Sequence, residues 1–125
     1  MNNNYTTIEQ SKKLLELGLQ PDTADMIYKF YHSCGNDAYP SIIEAGTYVK
    51  KEDVPCWTAE ALMKAMPAVV NEGKYECFIK SCRTKQGFIL ECSNNNGYIA
   101  FGVHSESMTN GLVTMMTWLL ENKHM

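Results

Sequence analysis

The last third of the chain constrains its fold more than any other part of the sequence. Residues Tyr75–Cys82, Phe88–Cys92 and Tyr98–Val103 are rich in aromatic and aliphatic side chains, as β-strands are. Before the third run, Asn96-Gly97 tolerates the positive φ that a tight hairpin turn needs. Three short strands joined by such turns predict an antiparallel sheet. By alternation, one face of the third strand is expected to carry Ile99, Phe101 and Val103.

An amphipathic helix is predicted directly after these strands. Its apolar residues recur at the spacing of a helical stripe, at Met108, Leu112, Met115, Met116 and Leu119. Ser105 or Ser107 provides a suitable N-cap. A helix with one apolar face packs across a sheet, so residues 75–125 are predicted to form a β-β-β-α unit.

Two further helices are predicted nearer the N-terminus. The first spans residues 7–17, begins with a capping box at either Thr6 or Thr7, and ends at Gly18. The second spans Ala59–Met66 and stops before the helix-breaking Pro67. Its inward face is expected to carry Leu62, Met63 and Met66.

The segment between these two helices is predicted to hold a strand and a long surface loop. Asp25–Tyr31 is dense in aromatic residues, which favours a strand. Ser33–Asp53 is rich in turn-forming residues and is predicted to be the loop, within which Gly46–Lys50 can pair back on the strand. Residues 1–5 are expected to be disordered, and residues 68–73 to be a connector.

The length and composition of the chain fit a single domain over residues 1–125. Apolar residues make up 45% of the chain and charged residues 20%, so a hydrophobic core can form. The predicted class is α+β, with a small, mainly antiparallel sheet and helices packed on one face. No apolar run reaches the roughly 18 residues of a membrane span, and no secretory leader is recognisable. A cytoplasmic location without membrane partners is therefore expected.

The chain has an odd number of cysteines, five, and no Cys-x-x-Cys pair, which predicts reduced thiols. Cys56 is the one candidate nucleophile, because it lies just before a predicted helix whose amides and dipole can lower a thiol pKa. His32 and His104 are the candidate bases. A small cysteine-dependent enzyme is thus one alternative function. The other interpretation of Cys56 is packing at the helix entry, and a non-enzymatic role is favoured.

A metal site is conceivable at His32, Cys34 and Cys56. A His-x-Cys pair can chelate within a loop, but the closely spaced cysteine pair of structural zinc sites is missing. Neither a metal nor another cofactor is therefore predicted.

A basic hairpin at Lys80, Arg83 and Lys85 suggests a second alternative. Cations beside aromatic residues can hold single-stranded nucleic acid, and Phe78, Phe88 and Tyr98 lie nearby in the sequence. However, the chain carries a net charge of −3, which gives no general attraction for phosphate backbones. Basic residues at a sheet edge also serve to discourage edge-to-edge pairing. A nucleic-acid-associated accessory protein therefore stays an alternative.

The predicted loop offers a protein-interaction surface. Its candidate contact residues are Tyr31, Tyr39, Ile42 and Tyr48. Tyrosine gives a large contact area at low entropic cost, which suits recognition. The competing interpretation is that Ile42 and Ile43 anchor the loop to the core.

Several short motifs carry a resemblance to known sequences, namely Thr7–Leu19, Pro21, Thr23–Met26, Val54–Trp57 and Met66-Pro67. In these motifs the chain resembles short uncharacterised proteins of gut Bacteroidetes and of their phages or mobile elements. The resemblance implies a phage or mobile-element origin and assigns no catalytic residue. The favoured function is a non-catalytic interaction or accessory protein, acting through the loop or an exposed sheet edge, alone or as a homo-oligomer.

Overall fold

The computed structural model describes residues 4–30, 38–42 and 53–125. It confirms the predicted α+β class, with two antiparallel sheets and a C-terminal β-β-β-α arrangement. In chain order the elements of the described residues are α1 (Ile8–Leu17), a 3₁₀ turn (Pro21–Thr23), β1 (Met26–Phe30), β2 (Ala38–Ile42), β3 (Val54–Cys56), α2 (Ala59–Ala65), β4 (Val70–Glu72), β5 (Tyr75–Thr84), β6 (Gly87–Ser93), β7 (Ile99–Ser105) and α3 (Met108–Glu121).

The smaller sheet has the order β2-β1-β3 and contains a strand where a loop was predicted. In it, Met26 of β1 lies opposite both Ile42 of β2 and Cys56 of β3. The prediction of a continuous loop over Ser33–Asp53 is therefore wrong at β2. The prediction took Pro40 as a sign of a loop. A proline is nevertheless tolerated in an edge strand, and β2 lies at the edge of this sheet. The strand predicted at residues 46–50 lies outside the described residues.

The larger sheet has the order β4-β5-β6-β7 and is built from consecutive hairpins. Gly73 has φ 63° at the first position of the two-residue β4–β5 turn, as a type II′ turn requires. The predicted Asn-Gly turn between β6 and β7 is confirmed. There the Asn94 side chain accepts hydrogen bonds from the amides of Asn96 and Tyr98, both at 2.9 Å, and Gly97 has φ 94°.

A β-bulge in β7 reverses the predicted orientation of Ile99. Cys92 lies opposite Phe101, but Ser93 lies opposite Ile99, so Ala100 is an extra residue in the ladder. Ile99 consequently points to the face opposite the helices and is 55% exposed. The prediction that Ile99 shares the face of Phe101 is wrong, because simple alternation does not anticipate a bulge.

The helices pack on one face of the larger sheet, as predicted. α3 lies on β6 and β7, where Trp118 stacks on Phe101 with ring centroids 5.0 Å apart. Gly111 permits this close approach, since a Cβ there would lie 2.8 Å from Leu90 Cδ1. The buried core draws on all three helices and this sheet and includes Leu14, Leu62, Val70, Leu90, Leu112, Met115, Met116 and Leu119. None of the described helices is long and apolar enough to cross a membrane.

Thr6 joins the start of the described chain to Trp57, which directly follows β3, and to Tyr28 of β1. The Thr6 amide donates to the Trp57 carbonyl at 2.8 Å, and the Tyr28 hydroxyl donates to the Thr6 carbonyl at 2.7 Å. Tyr5 forms a β-bridge with Thr58. Disorder was predicted over residues 1–5, and Tyr5 contradicts it, while residues 1–3 lie outside the described part of the chain.

Candidate functional site

Strand β5 extends well beyond one of its two neighbours. It pairs with β6 over Phe78–Thr84, but β4 pairs only with Tyr75–Cys77. Along Ile79–Thr84, no strand of the described residues pairs with β5 on the β4 side. We call this stretch the free edge of β5.

The two hairpin turns define which backbone groups of β5 point toward the free edge. Residues that flank a two-residue turn exchange hydrogen bonds, and the side to which backbone groups point alternates along a strand. Since Tyr75 faces β4, the same orientation recurs at Ile79, Ser81 and Arg83. Since Thr84 faces β6, the β6 ladder uses the even-numbered residues. Both turns therefore give the same result: Ile79, Ser81 and Arg83 direct their N–H and C=O groups away from β6, toward the free edge.

An apolar groove lies at one end of the free edge. It has a volume of about 290 Å³ and is lined by Met63, Met66, Pro67, Ala68 and Ile79. Met63 was predicted to point inward, but it is 48% exposed and forms an open side of the groove. Methionine side chains are flexible and adapt to different apolar partners. The groove is therefore suited to a partner side chain that approaches along β5.

The helix-facing side of β5 is polar and open beyond this groove. Ser81 lies opposite Leu90 and Arg83 opposite Phe88, which places both on the face that carries the helices. Both are nevertheless exposed, because α3 packs on β6 and β7 rather than on this end of β5. No ion pair or hydrogen bond joins the Arg83 side chain to another described residue. Its guanidinium is available to an external anion.

The structure does not bring the predicted nucleic-acid residues together on one surface. Lys80 points to the outer face of the sheet, and its ammonium group donates to the Asn94 carbonyl at 3.3 Å and to Asn95 Oδ1 at 3.1 Å. Arg83 points to the opposite face, and Lys85 lies in the turn.

The aromatic residues near these cations are divided in the same way. Phe78 is on the outer face, Phe88 is on the helix-facing side, and Tyr98 stacks on Tyr75 with centroids 4.3 Å apart. A platform for stacked bases would need these rings and cations on one face.

Cys56 is a buried core residue in this structure. Its side chain is 0% exposed, and its thiol donates to the Thr6 carbonyl at 3.4 Å. Burial raises the pKa of the Cys56 thiol, whereas a nucleophilic cysteine needs a lowered pKa and access to substrate. The candidate base His104 is exposed on the outer face of the other sheet, opposite Ile89, and His32 lies outside the described residues.

The remaining predicted site residues are only partly located. Tyr31 and Tyr48 lie outside the described residues, as does Cys34 of the weighed metal set. Tyr39 and Ile42 fall in β2, with backbones opposite Lys29 and Met26. No group of three or more potential metal ligands occurs among the described residues.

Sequence reasoning missed the groove residues and the outward backbone of Ser81. The feature that would have indicated them is that β5 is longer than β4. This difference cannot be seen when Val70–Glu72 is taken for a connector.

Comparisons of the chain with protein-family models, with curated proteins and with solved structures found no match.

Proposed function

We propose that the chain is a non-catalytic interaction protein that binds an extended segment of a partner as an added strand on the free edge of β5. The observation that carries the proposal is the stretch Ile79–Thr84, which on the β4 side pairs with no strand of the described chain and lies beside an open apolar groove. In this mode of recognition, backbone hydrogen bonds provide affinity, and pockets for alternate side chains provide specificity.

The free edge supplies both parts of such a site. Ile79 and Ser81 each offer one outward donor and one outward acceptor to an incoming strand. Arg83 offers an outward donor, and its carbonyl already accepts a weak hydrogen bond from the Cys82 thiol at 3.6 Å. Side chains of that strand alternate between the two faces of the sheet, so every second one points toward α2 and the groove. Backbone recognition and side-chain selection therefore occur at the same place.

The charges around the free edge limit indiscriminate pairing. Lys80, Arg83 and Lys85 lie on or next to it, and charged side chains on an edge strand disfavour aggregation through that edge. A partner must compensate these charges, which favours a specific segment over any exposed strand. Self-association is the competing outcome, and the mass in solution measures it directly.

Selection from a displayed library of random ten-residue peptides tests the proposal. Ser81→Pro removes the outward N–H of Ser81 without removing a hydrogen bond to β6, and edge strands tolerate such a proline. Ser81→Ala is the matched control, because it keeps the N–H. We expect the parent and Ser81→Ala to enrich the same peptides, with binding to Ser81→Pro reduced about tenfold, because one backbone hydrogen bond is lost and the partner's carbonyl is left without its donor.

Two results would overturn strand addition at β5. One is enrichment of peptides that bind the Ser81→Pro variant as tightly as the parent while that variant remains folded. The other is the absence of any enriched peptide at micromolar protein concentration. A dimeric mass that is lost in Ser81→Pro would instead show that the edge pairs with a second copy of the chain, which contradicts a separate partner.

A further inference from the structure

The free edge also defines the chemistry of its partner, on the condition that the proposed strand addition holds. We infer that the bound segment runs antiparallel to β5 and carries an acidic residue opposite Arg83 and a large aliphatic residue four positions later, opposite Ile79. The pattern is acidic-x-x-x-aliphatic, read from the N-terminus of the segment.

The direction follows from the position that the segment would occupy. Both neighbours of β5 run antiparallel to it, and antiparallel pairing is slightly more stable per residue than parallel pairing. The bound segment lies in line with β4, beyond the point at which β4 begins at Val70. Its C-terminal end therefore reaches the groove beside Pro67 and Ala68, and its N-terminal end lies near the β5–β6 turn.

The aliphatic position follows from the face on which Ile79 lies. A residue directly opposite Ile79 shares its face and points toward Met63 and Met66. The groove of about 290 Å³ is at the lower limit of the roughly 300–1,000 Å³ of small-molecule pockets, which suits one or two apolar side chains. The thioethers of the two methionines allow it to accept Leu, Ile or Met.

The acidic position follows from Arg83. Ile79, Ser81 and Arg83 share one face, so the residues opposite the first and the last of them are four apart in the bound segment. The Arg83 guanidinium is exposed and has no ion-pair partner among the described residues. Its planar donors suit a carboxylate in a two-point contact, which gives this position its selectivity. The position opposite Ser81 lies over exposed polar surface and tolerates many residues.

Three synthetic ten-residue peptides test the pattern by fluorescence anisotropy. The first has Glu and Leu four positions apart, the second replaces Glu with Lys, and the third replaces Leu with Ser. We expect the parent to bind the first at least about tenfold more tightly than either of the others, with a preference for Glu that weakens as salt rises. Arg83→Glu should reverse the preference between Glu and Lys, and Met63→Ser should weaken only the peptides that contain Leu.

The failure of the pattern and the failure of strand addition give different results. If Ser81→Pro loses all three peptides but the parent binds them equally, the partner pattern is wrong and strand addition stands. If Ser81→Pro binds the first peptide as the parent does, strand addition itself is wrong. If Arg83→Glu keeps the parent's preference for Glu, another cation selects the acidic residue, and the role of Arg83 is refuted.

Discussion

At the scale of single residues, the described cysteines differ chiefly in their exposure to solvent. Cys56, Cys77 and Cys92 are buried in the core, whereas Cys82 is exposed on the outer face of the larger sheet. Burial raises the pKa of Cys56, and burial together with the neighbouring Cys77 thiol raises the pKa of Cys92 to about 11. Reactive thiolate is therefore scarce at Cys56 and Cys92 at neutral pH.

These environments predict an order of thiol labelling in the folded protein. With iodoacetamide at pH 8, we expect Cys82 to react at least about a hundredfold faster than Cys56, since a core thiol reacts only after the structure opens. Peptide mapping by mass spectrometry assigns each modified site. Labelling in denaturant, where the rates should converge, is the control. Fast labelling of Cys56 in the folded protein would contradict its core role and favour the cysteine-dependent enzyme.

At the scale of elements, periodicity predicted the strands and helices that have a strong pattern. The last helix formed as expected, with Ser107 as its N-cap. Its apolar stripe is buried at Leu112, Met115, Met116 and Leu119 and half-buried at Met108. β4 could not be predicted, because three residues, Val70-Asn71-Glu72, show no period. Without β4, the sequence could not reveal that β5 extends beyond a neighbour. The free edge is therefore a property of strand pairing and not of any motif in β5.

The alternation of backbone groups along β5 predicts an alternation in amide exchange. We expect the amides of Lys80 and Cys82 to be protected by the ladder to β6, and those of Ser81 and Arg83 to exchange at least about tenfold faster. NMR-detected hydrogen exchange at residue resolution measures both sets in one sample. Leu90, in the central strand β6, is the protected reference. Equal protection of Ser81 and Lys80 would mean that the edge is already paired in solution.

At the scale of the whole molecule, one core joins the three helices to the larger sheet. Binary patterning predicted this layering, because apolar stripes and alternating strands have one mutually consistent arrangement. The candidate site lies where the layering ends, at the part of β5 that the helices leave open. The predicted interaction residues gave no indication of it, because the groove joins residues from α2, from the segment after it and from β5.

The same substitution at two methionines separates core from groove. Met115 is 0% exposed in the core cluster, whereas Met63 is 48% exposed at the groove. Met115→Asp buries an unpaired charge and should reduce the free energy of unfolding by several kcal/mol. Met63→Asp can keep its charge in water and should cost less than about 1 kcal/mol. Urea denaturation followed by circular dichroism measures both.

The outcome at Met63 decides whether the groove exists in solution. A groove open to solvent keeps the charged side chain hydrated, so the folded protein should tolerate Met63→Asp and retain the parent's mass. A loss of stability as large as that of Met115→Asp would show that Met63 is packed in the core. The groove would then be filled by its own side chains, and the aliphatic position of the partner would have no place to bind. In that case the free edge could still accept a strand, but only through its backbone groups and Arg83.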